Sequence, residues 1–162
     1  MTSTQAPLAL ITGVGPGTGS SLARRFAAGG YRLTMLARDA ARLQALEAEL
    51  AGSRAWVCDV GVEADLRATV DAVVSAQGAP RVIVHNAVGG SFGNFNDIDP
   101  AVLTRNFEIN TVALLHLARL LTPAMVAAGD GAIIVTGNTS ALRGKPLFAG
   151  FAPTKAAQRI LA

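Results

Sequence analysis

The sequence is poor in the residues that bind metals or form covalent cross-links. It contains one cysteine, Cys58, and two histidines, His85 and His116, in 162 residues. A single cysteine excludes an internal disulfide and any cysteine-based metal cluster. The two histidines lie in apolar stretches and lack the spacing of metal ligands, which favours a role in the core or behind a site. We therefore expect no metal site.

Charged residues (15%) and aromatic residues (5%) are also scarce, whereas hydrophobic residues make up 51% of the chain. The net charge of +3 comes with scattered arginines and no basic run, so we expect no nucleic-acid partner. No apolar run reaches the length of a membrane span, and the first residues are too polar for a signal peptide. These absences predict a cytoplasmic protein with no membrane partner, and the length suits a single domain over 1–162.

The sequence does contain a glycine-rich turn between a strand and a helix. Four apolar residues, Leu8 to Ile11, lead into the turn, and a helical pattern follows from Ser20 to Ala28. The turn holds four glycines in seven positions: Gly13, Gly15, Gly17 and Gly19. Such a backbone can approach a pyrophosphate closely, and the helix N-terminus presents free N–H groups to it. A flexible surface loop is the alternative, but the flanking strand and helix favour a dinucleotide site.

Strands and helices alternate along the rest of the chain. The later predicted strands are 31–37, 54–58, 81–85 and 132–136, and the later predicted helices are 40–50, 62–77, 100–128 and one that begins near 151. This alternation predicts an α/β protein of Rossmann type, with a doubly wound parallel sheet and helices on both faces. Ligands are then expected at the carboxyl ends of the strands.

Five motifs line up in order and spacing, and together they resemble the short-chain dehydrogenase/reductase family over essentially the whole chain. They are Thr12-Gly13-x-x-x-Gly17-x-Gly19, Asp59-Val60, Asn86-Ala87, Asn110 and Lys155. The resemblance implies the strand order 3-2-1-4-5 for the five strands present. It also implies that the chain stops before two further strands, so we expect it to be the N-terminal part of a longer chain, with its fifth strand left as an exposed edge.

The resemblance assigns a dinucleotide cofactor to the turn and to the ends of the following strands. The implied cofactor-binding residues are Thr12, Gly13, Gly15, Gly17, Thr18, Gly19, Arg38, Asp59, Val60, Asn86, Ala87 and Lys155. Arg38 at the second strand end favours NADP(H) over NAD(H), because an arginine suits a 2′-phosphate and an acid suits a free ribose. Asp39 could be that acid, but its position fits a helix N-cap better. Asp59 could be a turn residue and Asn86 a loop amide that ties strands together, whereas the resemblance places both in the cofactor cleft.

The family's active site combines asparagine, serine, tyrosine and lysine, and this chain departs from it at two positions. Asn110 and Lys155 match, but Phe151 stands in place of the tyrosine and Asn138 in place of the serine. Asn110 could also be a solvent-facing residue of an apolar helix, and Lys155 could be a surface lysine. The one tyrosine, Tyr31, is expected at the opposite end of the sheet. Proton donation is therefore altered, and losing a positioned acid costs about 10²–10⁴ in rate.

Two functions fit these residues. One is an NADP(H)-dependent oxidoreductase that reduces a carbonyl or a conjugated C=C bond of a small-molecule substrate. Its proton donor is altered, and the nearby hydroxyls of Thr139, Ser140 and Thr154 are candidates. The other is a catalytically silent NADP-binding module that acts as a sensor or as a partner subunit. The resemblance also implies a homo-oligomer that forms through the long helix 100–128, whose apolar stripe is otherwise expected in the core.

Overall fold

The computed structural model describes residues 5–162 and contains one five-stranded parallel sheet in the order β3-β2-β1-β4-β5. The strands are β1 (Leu8–Thr12), β2 (Arg32–Ala37), β3 (Ser53–Val57), β4 (Val82–His85) and β5 (Ala132–Val135). The predicted α/β class and strand order are confirmed. Residues 1–4, on which the expectation of no signal peptide partly rests, lie outside the described residues.

Six α-helices occupy the described residues. They are α1 (Thr18–Ala28), α2 (Ala40–Glu49), α3 (Glu63–Gln77), α4 (Pro100–Phe107), α5 (Ala113–Ala128) and α6 (Ala152–Leu161). A short 3₁₀ turn, Thr139–Leu142, follows β5 where the sequence predicted only a loop. The other elements begin and end within two residues of their predicted bounds, apart from the long helix.

The helix predicted over 100–128 is not one regular α-helix. A π-helical turn, Glu108–Val112, joins α4 to α5 and carries Asn110. Such turns insert an extra residue and are frequent at functional sites. The expectation of a regular helix was wrong here because the Asn110 side chain bonds to other parts of the chain, as described below. Gly129 ends α5 in the left-handed conformation, with φ of 63°.

Alternate residues of β1 enter two separate core layers. Leu10 packs in the layer that contains Leu66 of α3 and Leu117 of α5, and Ile11 packs in the layer that contains Leu43 of α2. All five side chains are fully buried. Because the sheet is covered on both faces at its centre, β1 and β4 are buried as far as their carboxyl ends. The glycine turn begins at one of these ends.

The helical stretch Pro100–Ala128 is long and apolar enough to cross a membrane by length and composition alone. This finding corrects the expectation that no apolar segment reaches that length. One such helix is weak evidence, since the core helix of a soluble protein passes the same test. In α5 the predicted apolar stripe is buried, and its members are Leu114, Leu117, Leu121 and Met125.

Candidate functional site

The turn after β1 packs tightly against the turn after β4. Gly13 has φ of 68°, and a Cβ there would lie 2.5 Å from the backbone nitrogen and Cα of Ala87. A Cβ on Gly19 would overlap the carbonyl oxygen of Gly13. In contrast, a Cβ on Gly15 would meet its nearest atom at 4.0 Å, and one on Gly17 would meet nothing within 4 Å. Gly13 and Gly19 are therefore required by the fold, whereas Gly15 and Gly17 leave open space beside the N-terminus of α1.

This open space belongs to a cleft of about 400 Å³ at the carboxyl ends of the central strands. The predicted cofactor-binding residues that line it are Gly13, Gly15, Gly17, Thr18, Gly19, Arg38, Asp59, Val60, Asn86 and Ala87. Thr12 lies beneath the cleft, and Lys155 lines a different cavity. Within residues 5–162, no group of three histidine, cysteine or acidic side chains is placed to hold a metal ion.

Thr12 and His85 join the ends of β1 and β4 beneath the cleft. The Thr12 hydroxyl accepts hydrogen bonds from the backbone N–H groups of Asn86 and Ala87, each at 3.2 Å, so its own proton goes to His85 Nδ1 at 3.0 Å. Nε2 of His85 then carries the ring proton and donates it to the carbonyl of Ile109 at 3.0 Å. Burial of the ring lowers the pKa of His85 to about 4. His85 is thus a neutral core residue that links the cleft to the π turn.

Acidification is expected to destabilise the protein through His85. The pKa of this ring is about 6.5 in the unfolded chain and about 4 in the folded chain, so below pH 6.5 the unfolded state binds more protons. The free energy of unfolding should therefore fall by about 3 kcal/mol between about pH 6.5 and pH 4. Urea denaturation at several pH values across this range measures how the free energy of unfolding changes with pH.

His85→Asn should remove this part of the pH dependence, and His116→Asn, which removes the other histidine, should retain it. If the free energy of unfolding of His85→Asn still changes with pH as it does in the unmutated protein, the assignment of this pH dependence to His85 is contradicted.

Arg38 and Asp39 follow β2 at the edge of the cleft. Asp39 Oδ1 accepts the backbone N–H of Arg42 at 3.0 Å, and Oδ2 pairs with the Arg42 guanidinium at 3.1 Å. The predicted N-cap is confirmed, and both carboxylate oxygens are engaged. Arg38 is exposed, lines the cleft and has no carboxylate within 4.0 Å in the described part of the chain. At this strand end the guanidinium of Arg38 is therefore free to bind an anion, whereas the neighbouring carboxylate of Asp39 is already paired with Arg42.

Asp59 and Asn86 each tie loops together and also line the cleft. Asp59 Oδ2 accepts a hydrogen bond from Arg105 at 2.6 Å, and Oδ1 accepts the backbone N–H of Gly61 at 3.1 Å. Asn86 Nδ2 donates to the carbonyl of Gly13 at 2.8 Å. Both residues therefore have the loop-tying role that was the alternative interpretation, and both also lie in the cleft. A contact of Asp59 with an adenine ring stays a prediction.

Asn110 is fully buried and joins three segments of the chain. Its Oδ1 accepts the backbone N–H of Gly89 at 2.9 Å, and its Nδ2 donates to the carbonyl of Gly89 at 2.8 Å and to Thr154 Oγ1 at 2.7 Å. A solvent-facing position is therefore excluded. With both amide protons engaged, the side chain positions the loop after β4 against α6. Its predicted catalytic role stays a prediction.

Asn106 is a positioning residue that the sequence reasoning missed. It is 4% exposed, and its Nδ2 donates to the carbonyl of Gly150 at 2.8 Å and to Ser91 Oγ at 3.1 Å. A signal was present, because asparagines at 106 and 110 in an apolar pattern share one helix face.

Thr154, one of the candidate proton donors, accepts a hydrogen bond from Asn110 and donates its own proton to the carbonyl of Phe151 at 2.7 Å. Its hydroxyl is therefore engaged on both sides and is a poor proton donor.

Lys155 is 3% exposed, so it is not a surface lysine. Its Nζ donates to the carbonyl of Thr136 at 2.7 Å, and burial lowers the pKa of its ammonium group. It shares a cavity of about 640 Å³ with Asn138 and with Gln158, whose buried Nε2 has no hydrogen-bond partner within residues 5–162. Asn138 Oδ1 accepts the backbone N–H of Ser140 at 2.9 Å and so caps the 3₁₀ turn. The structure thus brings two of the four predicted catalytic residues into one cavity.

Phe151 directly precedes α6 and lies in an aromatic cluster. Its ring centroid is 5.9 Å from that of Phe92 and 6.4 Å from that of Phe148, and the side chain is 8% exposed. A Cβ on Gly90 would lie 3.0 Å from the ring, so Phe151 covers the loop after β4. The ring is not among the residues that line the Lys155 cavity.

A doubly wound parallel sheet with a glycine turn over its first strand defines a dinucleotide-binding protein. The chain belongs to the short chain dehydrogenase family, whose model matches residues 7–162. A 7alpha-hydroxysteroid dehydrogenase of Escherichia coli (strain K12) is 32% identical over 153 residues, which cover 92% of this chain and 60% of that protein. The chain thus spans about 60% of the length of the curated relatives it matches first.

Solved structures of this family carry either form of the cofactor. A metagenomic short-chain oxidoreductase in complex with NADP has a TM-score of 0.90 at 29% identity, over 96% of this chain and 72% of that chain. An NAD+-bound xylitol dehydrogenase has a TM-score of 0.89 at 27% identity, over 98% of this chain and 63% of that chain. The fold is therefore shared with enzymes that bind NADP and with enzymes that bind NAD.

Proposed function

We propose that this protein is an NADP(H)-dependent oxidoreductase with an altered proton donor, which reduces a carbonyl or a conjugated C=C bond. The observation that carries the NADP(H) preference is the unpaired Arg38 at the cleft, next to an Asp39 whose oxygens are both engaged by Arg42. A 2′-phosphate needs a free cation at this strand end, and a free ribose needs a free carboxylate.

The cleft residues fit a dinucleotide. The open space at Gly15 and Gly17 adjoins the N-terminus of α1, where backbone N–H groups and the helix dipole suit phosphates. By the family resemblance, Asp59 and Val60 would hold the adenine and Lys155 the nicotinamide ribose. The bound nicotinamide would supply the hydride, and the chain would contribute binding and orientation.

The reduction also needs a proton, which must come from a group other than the tyrosine that serves in the family. Phe151 has no ionisable group, and Asn138 can donate a hydrogen bond to a developing oxyanion but cannot readily supply a proton. Thr154 is engaged by Asn110 and by the Phe151 carbonyl. A conjugated C=C substrate that takes its proton from water tolerates this loss better than a ketone does.

Arg38→Ala is expected to remove most of a preference for NADPH over NADH. A charge-assisted contact contributes about 1.5–3 kcal/mol, so the Kd for NADPH should rise about tenfold or more while the Kd for NADH stays nearly constant. Fluorescence titration of the full encoded chain with both cofactors measures the two constants.

Arg25→Ala, which removes an exposed arginine from the last turn of α1, is the matched control and should change neither constant. Equal affinities for the two cofactors in the unmutated protein would contradict the proposed preference.

A catalytically silent NADP-binding module is the second candidate. It is favoured by the paired replacements Asn138 and Phe151 and by the engaged hydroxyl of Thr154. NADPH binding without hydride transfer to any of a panel of carbonyl and enoyl substrates would favour this candidate over the enzyme.

We also propose a cytoplasmic homo-oligomer with a small-molecule substrate and with no nucleic-acid or membrane partner. The exposed apolar residues of the long helical stretch, among them Val112, Leu115 and Val126, support an interface between copies of this chain.

A further inference from the structure

A third cavity, of about 540 Å³, lies between the 3₁₀ turn, the loop 143–149 and the start of α6. Its lining is mainly apolar and includes the side chains of Phe95, Leu147 and Phe148. It adjoins the two altered positions, because Ser140 of its wall comes two residues after Asn138 and Ala152 follows Phe151 directly. This volume is within the range of sites for small organic ligands.

The charges around this cavity are all of one sign. Arg143 and Lys145 line it, and no acidic residue does. Neither has a carboxylate within 4.0 Å among residues 5–162, and the Lys145 ammonium lies 5.6 Å from the centroid of the Phe148 ring. Five other arginines do pair with carboxylates: Arg24, Arg42, Arg67, Arg81 and Arg105. The positive charge beside this apolar cavity is therefore not neutralised by the chain.

Two further features of the wall are consistent with a ligand. Ser140 is 2% exposed, and its buried hydroxyl has no hydrogen-bond partner in the described part of the chain. Buried hydroxyls are usually paired, so an unpaired one on a cavity wall calls for a partner. Leu147 has φ of 63° and is 57% exposed, so its backbone is strained while its apolar side chain lines the cavity and remains accessible to a ligand.

We infer that this cavity binds the apolar body of an anionic substrate, with Arg143 and Lys145 on its carboxylate or phosphate group and Ser140 as a hydrogen-bond partner inside. The inference rests on the proposed oxidoreductase, whose substrate class it names. Amphipathic organic anions bind there in preference to neutral molecules of the same shape, because each neutral analogue leaves both cations without a counter-charge.

A matched pair of fluorescent dyes tests the charge preference directly. The first is 8-anilinonaphthalene-1-sulfonate, and the second is N-phenyl-1-naphthylamine, which has the same rings without the sulfonate. The full encoded chain should bind the sulfonate more tightly. Arg143→Gln and Lys145→Gln should each weaken sulfonate binding about fivefold and leave the neutral dye unchanged.

Arg54→Gln is the matched control, since it removes the same charge from β3 at the far edge of the sheet and should change neither dye's affinity. Ser140→Ala, which removes the unpaired hydroxyl without creating a new polar group, should weaken the sulfonate without lowering the melting temperature. Displacement of the dye by decanoate and by decyl phosphate, with decanol as the neutral competitor, distinguishes a carboxylate from a phosphate as the preferred anion.

Equal weakening of both dyes in the Arg143 and Lys145 variants would overturn the inference, as would equal affinities for the two dyes in the unmutated protein. Sulfonate binding that survives in a variant that carries both Arg143→Gln and Lys145→Gln would also overturn it, because the dye would then occupy another apolar surface such as the β5 edge. NADPH titration of the same proteins keeps the two proposals apart. If the unmutated protein does not bind NADPH, the result counts against the proposed function alone. If it shows no preference for the sulfonate dye, the result counts against this inference alone.

Discussion

Asn138→Ser combined with Phe151→Tyr is expected to raise ketone reduction by about 10²-fold or more over the unmutated protein. A positioned acid contributes about 10²–10⁴ in rate, and the double variant introduces the acid together with the hydroxyl that orients the substrate oxygen. Lys155 follows Phe151 by four residues, one helical turn, so its ammonium group would lower the pKa of a tyrosine that faces it.

The structure indicates that both substitutions are compatible with the fold. Asn138 caps the 3₁₀ turn by accepting the N–H of Ser140, and serine is also a good capping residue. Tyrosine has nearly the ring volume of phenylalanine, so it fits the space beside Phe92 and Phe148, and its hydroxyl reaches Lys155 when the ring turns from this cluster towards the Lys155 cavity. Neither single variant should suffice, because an acid and an orienting group act as a unit.

Single-turnover oxidation of NADPH with a panel of ketones compares the unmutated protein, each single variant and the double variant. Asn138→Ser with Phe92→Tyr is the matched control, since it adds the same hydroxyl to the same aromatic cluster at a different ring. Fast ketone reduction by the unmutated protein would argue against an altered proton donor. No gain in the double variant, with NADPH binding intact, would mean that the pocket itself has diverged.

Gly13→Ala is expected to lower the free energy of unfolding by about 2–5 kcal/mol. A left-handed backbone costs a residue with a Cβ about 1–2 kcal/mol, and overpacking a closed site costs about 1–3 kcal/mol more. Both apply at Gly13, whose φ is 68° and whose Cβ would lie 2.5 Å from the backbone of Ala87. This is a large fraction of the 5–15 kcal/mol that typically stabilises a folded domain.

Gly15→Ala is the matched control for this prediction, because its Cβ would meet the nearest atom at 4.0 Å. Its free energy of unfolding should stay within about 1 kcal/mol of the unmutated value. Urea denaturation of both variants provides the comparison. Similar stabilities for the two alanine variants would show that the close approach between Gly13 and Ala87 does not hold the two turns together.

Much of the cleft could be predicted because parallel strands bring their carboxyl ends to one edge of the sheet. Gly13, Arg38, Asp59 and Asn86 are far apart in sequence, yet each follows a predicted strand, so topology alone brings them together. The helix cap at Asp39 was also predictable, since it depends on a backbone N–H three residues away.

The residues around the predicted catalytic positions were less predictable because their partners are distant in sequence. Asn110 bonds to Thr154, and Asn106 bonds to Gly150, each 44 residues along the chain. These bonds accompany the π turn, which no local pattern indicated. The apolar cavity with Arg143 and Lys145 likewise depends on how the loop after β5 folds against α6.

By itself, the sequence determined the α/β class, because apolar periodicity and glycine spacing act locally along each element, and its motifs implied the family and the strand order through their resemblance to the family. It also predicts that Phe151 and Asn138 stand where the family has its tyrosine and serine. Only the tertiary structure decided that Asp39 is engaged while Arg38 is free, and that Asn110 is a buried tie between segments. The physical reason is that a polar side chain's role depends on which of its atoms are already hydrogen-bonded, and those partners come from parts of the chain that meet only after folding.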